Sequence, residues 1–69
     1  MIYLTPRQHE VLLLISDEYT TEEIANKLGL AVGTVEVHRK ALFNKFQVKN
    51  VAGLMKKACK NGFFDEGNH

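Results

Sequence analysis

Several features that the sequence lacks exclude whole classes of protein. The 69 residues contain a single cysteine, Cys59, so no internal disulfide can stabilise the fold, and this suits a reducing cytoplasm. The longest apolar run, 11–15, is far too short to cross a membrane. The first residues have neither the basic segment nor the apolar core of an export signal. We therefore expect one cytoplasmic domain over residues 1–69, with no membrane partner.

The patterns of common catalytic and metal sites are also missing. One cysteine and three scattered histidines supply no set of zinc ligands. His9 and Glu10 are not followed by a second histidine at metalloprotease spacing, and there is no phosphate-binding glycine loop and no nucleophile elbow. A chain this short has little room for a catalytic cleft of the usual size. We expect no enzymatic activity, no cofactor and no bound metal.

Charge is distributed unevenly, although the net formal charge is only +1. Residues 1–31 carry two basic and five acidic side chains, whereas residues 32–60 carry seven basic side chains and one acidic one, Glu36. A basic segment inside a near-neutral chain is typical of a surface that binds a polyanion. The alternative is a solvated lysine-rich surface without such a role, and charge alone does not exclude it.

The first helix start carries a complete capping signal. Thr5 is suited to the N-cap, Pro6 to the first helical position, and Gln8 can close a capping box. Apolar residues then recur at helical spacing as far as Ile15. We predict helix 1 at about 6–17.

A second capping box starts the next helix. Thr20 is its N-cap and Glu23 lies three residues later. Gly29 is a natural left-handed stop, which predicts a short helix 2 at about 21–28. Only residues 29–31 separate it from the next helical pattern. Two helices joined by so short a turn containing glycine are typical of a helix-turn-helix unit.

Helix 3, predicted at about 33–46, has two contrasting faces. At 100° per residue, a sector of roughly 80° collects the core candidates Val35, His38, Leu42 and Phe46. The opposite side, called the outer face below, consists of Gly33, Glu36, Val37, Lys40 and Asn44. Short polar and apolar groups of this kind read base edges in the major groove. The histidine is interpreted as a packing residue rather than a ligand.

A fourth helix is predicted at about 51–60, with Asn50 as its N-cap. One apolar stripe consists of Val51, Leu54 and Ala58, and an adjacent second stripe consists of Ala52, Met55 and Cys59. The second stripe either faces a partner subunit or widens a single core face. Taken together, the patterns predict an all-α, four-helix domain with a central helix-turn-helix, a core at about 4–62 and a flexible tail at 65–69.

Several motifs, in this order and spacing, resemble the LuxR-type (GerE-like) helix-turn-helix domain. They are LTPR at 4–7, EVL at 10–12, EIA at 23–25 followed by Leu28, TV at 34–35 followed by His38, and finally Lys45. The match covers roughly residues 4–58. The resemblance implies a bacterial DNA-binding domain for transcription regulation, of the kind found at the C-terminus of response regulators. It also implies that helix 3 enters the major groove and that helix 4 forms a dimer interface.

The resemblance places base-facing positions on Glu36, Val37 and Lys40, in agreement with the helical wheel, which adds Asn44. We expect phosphates to be held by Thr20, Thr34, Arg39, Lys45 and Lys49. We expect dimer contacts from Ala52, Met55 and Cys59. The expected partners are double-stranded DNA, a second copy of the chain on DNA, and an attached or separate regulatory domain.

Five positions depart from the pattern of that family. Gln8 replaces a glutamate, Glu18 a glycine and Ala31 a serine. Glu36 stands where a basic residue is common and Leu13 where a charged one is common. A left-handed Glu18 costs about 1–2 kcal/mol, and a lost serine cap about 1 kcal/mol unless Thr34 caps a shortened helix. Leu13 is expected to be exposed, as a tolerated surface leucine or as a contact for another domain.

An alternative function is a protein-interaction module that has lost its affinity for DNA. The acidic Glu36 is its best support, because a carboxylate cannot bind phosphates. Leu13 and the apolar stripe of helix 4 would then form the interaction surface.

Overall fold

The computed structural model describes residues 2–64, which form four α-helices and no strand. They are α1 (Pro6–Ser16), α2 (Thr21–Leu28), α3 (Val32–Phe46) and α4 (Val51–Lys60). The all-α, four-helix fold with a central helix-turn-helix is thereby confirmed. None of these helices has the length and apolar character that a membrane crossing requires. The predicted flexible tail, 65–69, lies outside the described residues.

Side chains cap three of the four helix starts, as the sequence predicts. The Thr5 and Thr20 hydroxyls each accept a hydrogen bond from a backbone N–H three residues later, at 3.1 Å in both cases. The side chains of Gln8 and Glu23 accept return bonds from the cap N–H groups, which completes both capping boxes. At α4, the Asn50 side chain accepts from the backbone N–H three residues on, at 2.9 Å. Each cap satisfies N–H groups that have no partner inside the helix.

All four helices end in the same hydrogen-bonded motif. A residue in the left-handed region donates its N–H three residues back, and the next residue donates five residues back, which is the Schellman arrangement. The left-handed residues are Glu18, Gly29, Gln47 and Gly62. The apolar residues that follow them, Tyr19, Leu30, Val48 and Phe63, pack against the core. Each helix end thus anchors the next segment of the chain.

The core lies around α3, which packs against the other three helices. Its buried side chains come from every helix: Val11, Leu12, Ile15, Ile24, Ala25, Val35, Leu42, Phe46, Leu54 and Ala58. His38, which shares one side of α3 with Val35 and Leu42, is half-buried. Ile2, Phe63 and Phe64 also pack against the core.

Several local predictions need correction. Helix 1 ends at Ser16, because Asp17 already belongs to the turn into the left-handed Glu18. Helix 3 begins one residue early, at Val32, with Ala31 in the N-cap position. Thr34 does not cap a shortened helix, because its N–H donates to the Ala31 carbonyl within the first turn, at 3.0 Å. Leu13 is exposed, as predicted, and Glu18 has the costly left-handed conformation.

Candidate nucleic-acid interface

The outer face of α3 carries no packing role in the described chain. Because α3 is a regular helix over Val32–Phe46, residues 33, 36, 37, 40 and 44 share one side of it. All five are exposed, in contrast to the buried Val35, Leu42 and Phe46 on the other side. Val37, an apolar residue, is 65% exposed. The face is therefore free to contact another molecule.

The chemistry of this face is varied at short spacing. Glu36 can only accept hydrogen bonds and Lys40 can only donate them, whereas Asn44 can do both. Val37 offers an apolar surface of about the size needed for a thymine methyl group. Gly33 adds no side chain near the start of the helix, and a Cβ there would meet nothing within 4 Å. Such a mixture suits recognition of base edges, which differ in donors, acceptors and methyl groups.

The start of α3 is open to an anion. Ala31 occupies the N-cap position with extended backbone angles (φ −71°, ψ 149°), but it supplies no side-chain hydrogen bond. The first N–H groups of the helix therefore lack the side-chain acceptor that the other three helices have. A helix N-terminus of this kind favours negatively charged groups such as phosphate.

The predicted phosphate contacts fall into two groups. Thr20, Thr34 and Lys49 are exposed. Arg39 is half-buried with its guanidinium 5.7 Å from the centre of the Phe43 ring. Lys45 donates to the Tyr3 carbonyl at 2.9 Å and to the Gln8 side-chain oxygen at 2.7 Å. The structure thus gives these last two cations contacts within the domain, which the sequence did not predict.

Throughout the described part of the chain, no carboxylate neutralises the basic side chains of α3 and α4. Within residues 2–64 the only ion pair joins Arg7 to Glu10, both on α1, at 3.3 Å. Among the residues that the structure describes, no carboxylate therefore competes with a polyanion for the positive charge of residues 32–60. Free lysines attract phosphates through long-range electrostatics, with a strong dependence on salt.

The α4 helix exposes two sides of different character. Ala52 is exposed, whereas Met55 and Cys59 are half-buried and Met55 packs against the core. The predicted second stripe therefore contributes both to the core and to the surface. The other side carries Lys56, Lys57 and Lys60, which line a shallow cavity of about 550 Å³ together with residues at the end of α3.

Comparison with known proteins shows which protein family has this architecture. A family model described as bacterial regulatory proteins of the luxR family matches residues 3–58. The chain belongs to the luxR family. It is a helix-turn-helix domain of the DNA-binding class that serves transcription regulation, and relatives of it are named transcriptional regulatory proteins.

Curated relatives of this luxR domain are longer proteins. The chain is 41% identical over 59 residues to the transcriptional regulatory protein MctR of Rhizobium johnstonii, which covers 86% of the chain and 28% of MctR. It is 44% identical over 59 residues to the response regulatory protein YgeK of Escherichia coli, covering 86% of the chain and 40% of YgeK. The transcriptional regulatory protein DesR of Bacillus subtilis is 36% identical over 61 residues, covering 88% of the chain and 31% of DesR. The chain thus spans less than half the length of each relative.

Solved structures agree with the fold of the luxR domain. The Vibrio cholerae protein VqmA, described as a dimer and as a LuxR-type receptor, superposes with a TM-score of 0.86 at 32% identity, over 91% of this chain and 28% of VqmA. The response regulator ChrA of a heme-sensing two-component system superposes with a TM-score of 0.85 over 93% of this chain and 32% of ChrA. At 22% identity, the likeness to ChrA concerns the fold alone.

Proposed function

We propose that α3 enters the major groove of double-stranded DNA and that its outer face reads base edges. The observation that carries this proposal is the exposure of Glu36, Val37, Lys40 and Asn44 along one side of the helix. In a helix-turn-helix domain, the second helix of the unit is the one that reads the groove. Here that helix is α3, which packs against the rest of the domain through its opposite side.

Phosphate contacts on both sides of the groove would hold α3 in place. Thr20 lies at the start of α2 and Thr34 in the first turn of α3, next to helix N-termini that attract phosphate. Lys49 is exposed just beyond the end of α3. Arg39 and Lys45 would reach phosphates only by leaving Phe43 and Gln8, so we expect them to contribute less than Lys49.

Two copies of the domain would pair through the apolar side of α4. Ala52, Met55 and Cys59 are all at least partly exposed, and the similar VqmA is described as a dimer. A pair would place two α3 helices on half-sites about one turn of DNA, or 10 base pairs, apart. One domain makes few contacts, so pairing would supply much of the affinity.

A regulatory domain, attached or separate, would complete the protein. The relatives carry more than half of their length outside the matched segment, and two of them are named transcriptional regulators. The domain described here would be the part that binds DNA, and its activity would depend on whether the regulatory part allows two copies to meet.

Salt-dependent binding to duplex DNA tests the proposal. Fluorescence anisotropy of a labelled duplex of mixed sequence, between 50 and 200 mM salt, should show affinity falling linearly on a log–log plot. Replacing one phosphate-binding lysine, Lys49→Gln, should reduce the slope by about 0.9. Lys27→Gln is the matched control. Lys27 belongs to α2, lies over the Tyr19 ring and borders a shallow cavity between α1 and α2, so its replacement should leave the slope unchanged. No salt-sensitive association at low salt would contradict the proposal.

A protein-interaction module is the second candidate, and one observation favours it. Leu13 is 39% exposed and borders a shallow cavity of about 240 Å³, which Leu14 and Leu28 also line. An apolar depression of this kind between α1 and α2 suits a side chain of another protein. The salt experiment separates the two candidates, because this module would bind no duplex at any salt concentration.

A further inference from the structure

Glu36 is the only carboxylate in residues 32–60, and it lies in the middle of the outer face. One helical turn before it is Gly33, and one turn after it is Lys40. All three positions are exposed. A negative charge at this place opposes the attraction of the surrounding lysines for DNA, so its presence calls for a specific role.

No cation within the described part of the chain neutralises Glu36. Glutamate followed by lysine four residues later is the favoured spacing for an ion pair on a helix. Nevertheless, Lys40 does not come within 4.0 Å of the Glu36 carboxylate, since the Arg7–Glu10 pair is the only one in residues 2–64. Arg39 is turned toward the Phe43 ring instead. Both carboxylate oxygens therefore remain free to accept hydrogen bonds from another molecule.

A free carboxylate distinguishes the four bases by what they offer in the major groove. Cytosine presents an N4 amino donor, whereas guanine and thymine present carbonyl acceptors that repel an anion. Adenine presents a donor beside the N7 acceptor, which suits an amide better than a carboxylate. Because the DNA phosphates make any unpaired anion in the groove unfavourable, the carboxylate lowers affinity wherever no donor meets it.

We propose that Glu36 makes this domain select cytosine at one position of each half-site. The inference rests on the proposed entry of α3 into the major groove. Glu36 acts as a specificity determinant that weakens binding to other sequences, while Lys40, about 6 Å further along the helix axis, donates to a nearby guanine.

Selection from a random pool of duplexes tests the inference. The wild-type domain and Glu36→Gln are each immobilised at low salt, and the retained duplexes are sequenced. We expect the wild type to prefer cytosine at one position about tenfold or more. In Glu36→Gln that position should change to adenine, which a glutamine amide recognises, and the other positions should stay the same. In Glu36→Ala the preference should disappear, and affinity for a random duplex should rise severalfold.

Lys40→Gln serves as the matched control on the same face. It should weaken binding and remove the guanine preference while the cytosine preference is retained. If the wild type and both Glu36 variants retained duplexes with the same base preferences, the role of Glu36 would be overturned. The proposed function would stay intact. Failure of every variant and the wild type to retain any duplex would overturn the proposed function itself.

Discussion

The Lys45 ammonium donates a 2.7 Å hydrogen bond to the side-chain oxygen of Gln8, which also closes the capping box of α1. The same ammonium donates to the Tyr3 carbonyl at 2.9 Å and lies 5.7 Å from the centre of the Tyr3 ring. One side chain near the end of α3 therefore fixes both the start of α1 and the segment before it. This tertiary contact links the helix proposed to read DNA with the first helix of the domain.

Substitution of each residue, alone and together, should show how strongly Lys45 and Gln8 are coupled. Lys45→Met should lower the free energy of unfolding by about 0.5–1 kcal/mol, because the pair is exposed and each bond has a modest net value. Gln8→Glu should raise it by about 0.5 kcal/mol, by adding an ion pair and a negative charge in the first helical turn. Urea denaturation of both single variants and the double variant measures the coupling.

When Lys45→Met and Gln8→Glu are combined, the new carboxylate has no lysine to pair with. The gain in the free energy of unfolding from Gln8→Glu should then shrink to the part due to the helix dipole. The coupling should also shrink at 1 M salt, where charges at the surface are screened. Strictly additive effects at low salt would show that Lys45 does not respond to a charge at position 8, which contradicts a close contact between the two side chains in solution.

Glycine at a left-handed helix end should stabilise the domain. Glu18 has φ 68°, the same value as Gly29, although a side chain there costs about 1–2 kcal/mol. Glu18→Gly should raise the free energy of unfolding by about 0.5–1 kcal/mol, after the larger backbone entropy of glycine in the unfolded chain is subtracted. Thermal unfolding monitored by circular dichroism measures the change.

Gly29→Ala is the reverse control. An added Cβ would have no atom within 4 Å, so only the backbone conformation is disturbed. It should lower the free energy of unfolding by about 1 kcal/mol. If both substitutions shifted stability in the same direction, the left-handed conformation would not be the cause.

A serine at the start of α3 should supply the missing cap. Ala31 already has the extended backbone angles of a capping residue, so Ala31→Ser needs no rearrangement. The hydroxyl should accept from a first-turn N–H and raise the free energy of unfolding by about 1 kcal/mol. Ala31→Val, which has no acceptor, is the control and should give no gain in urea denaturation. An equal gain from both variants would rule out capping as the reason.

Much of the fold could be predicted because its signals are local. Capping boxes, apolar spacing and Gly29 act within a few residues, and they placed every helix to within a residue of its observed limits. The exposure of the outer face likewise follows from helical periodicity.

The contacts of Lys45 with Gln8, and of Phe63 with Phe46 and His9, could not be predicted. They join residues far apart in the sequence, so they depend on how the helices pack. The left-handed Gln47 was missed because it lacks the glycine signature.

Pairing through α4 should be separable from DNA contact. Ala52 is exposed, so Ala52→Glu should leave the fold intact while placing like charges opposite each other across the proposed interface. Binding to a duplex with two selected half-sites should weaken at least tenfold, whereas binding to a single half-site should not change. Ala52→Ser is the control and should behave like the wild type. Sedimentation of the complexes gives the number of chains per duplex, and an unchanged ratio of two for Ala52→Glu would place the interface elsewhere.

The central claim, that α3 reads DNA, is tested most directly by amide chemical-shift mapping of the domain titrated with duplex DNA. The titration is run at low and at physiological salt. Shifts should be concentrated in residues 33–45 and should weaken as salt increases, since phosphate contacts contribute to the affinity. A spectrum in which α3 does not respond at low salt, or in which shifts gather around Leu13 between α1 and α2 instead, would contradict the account.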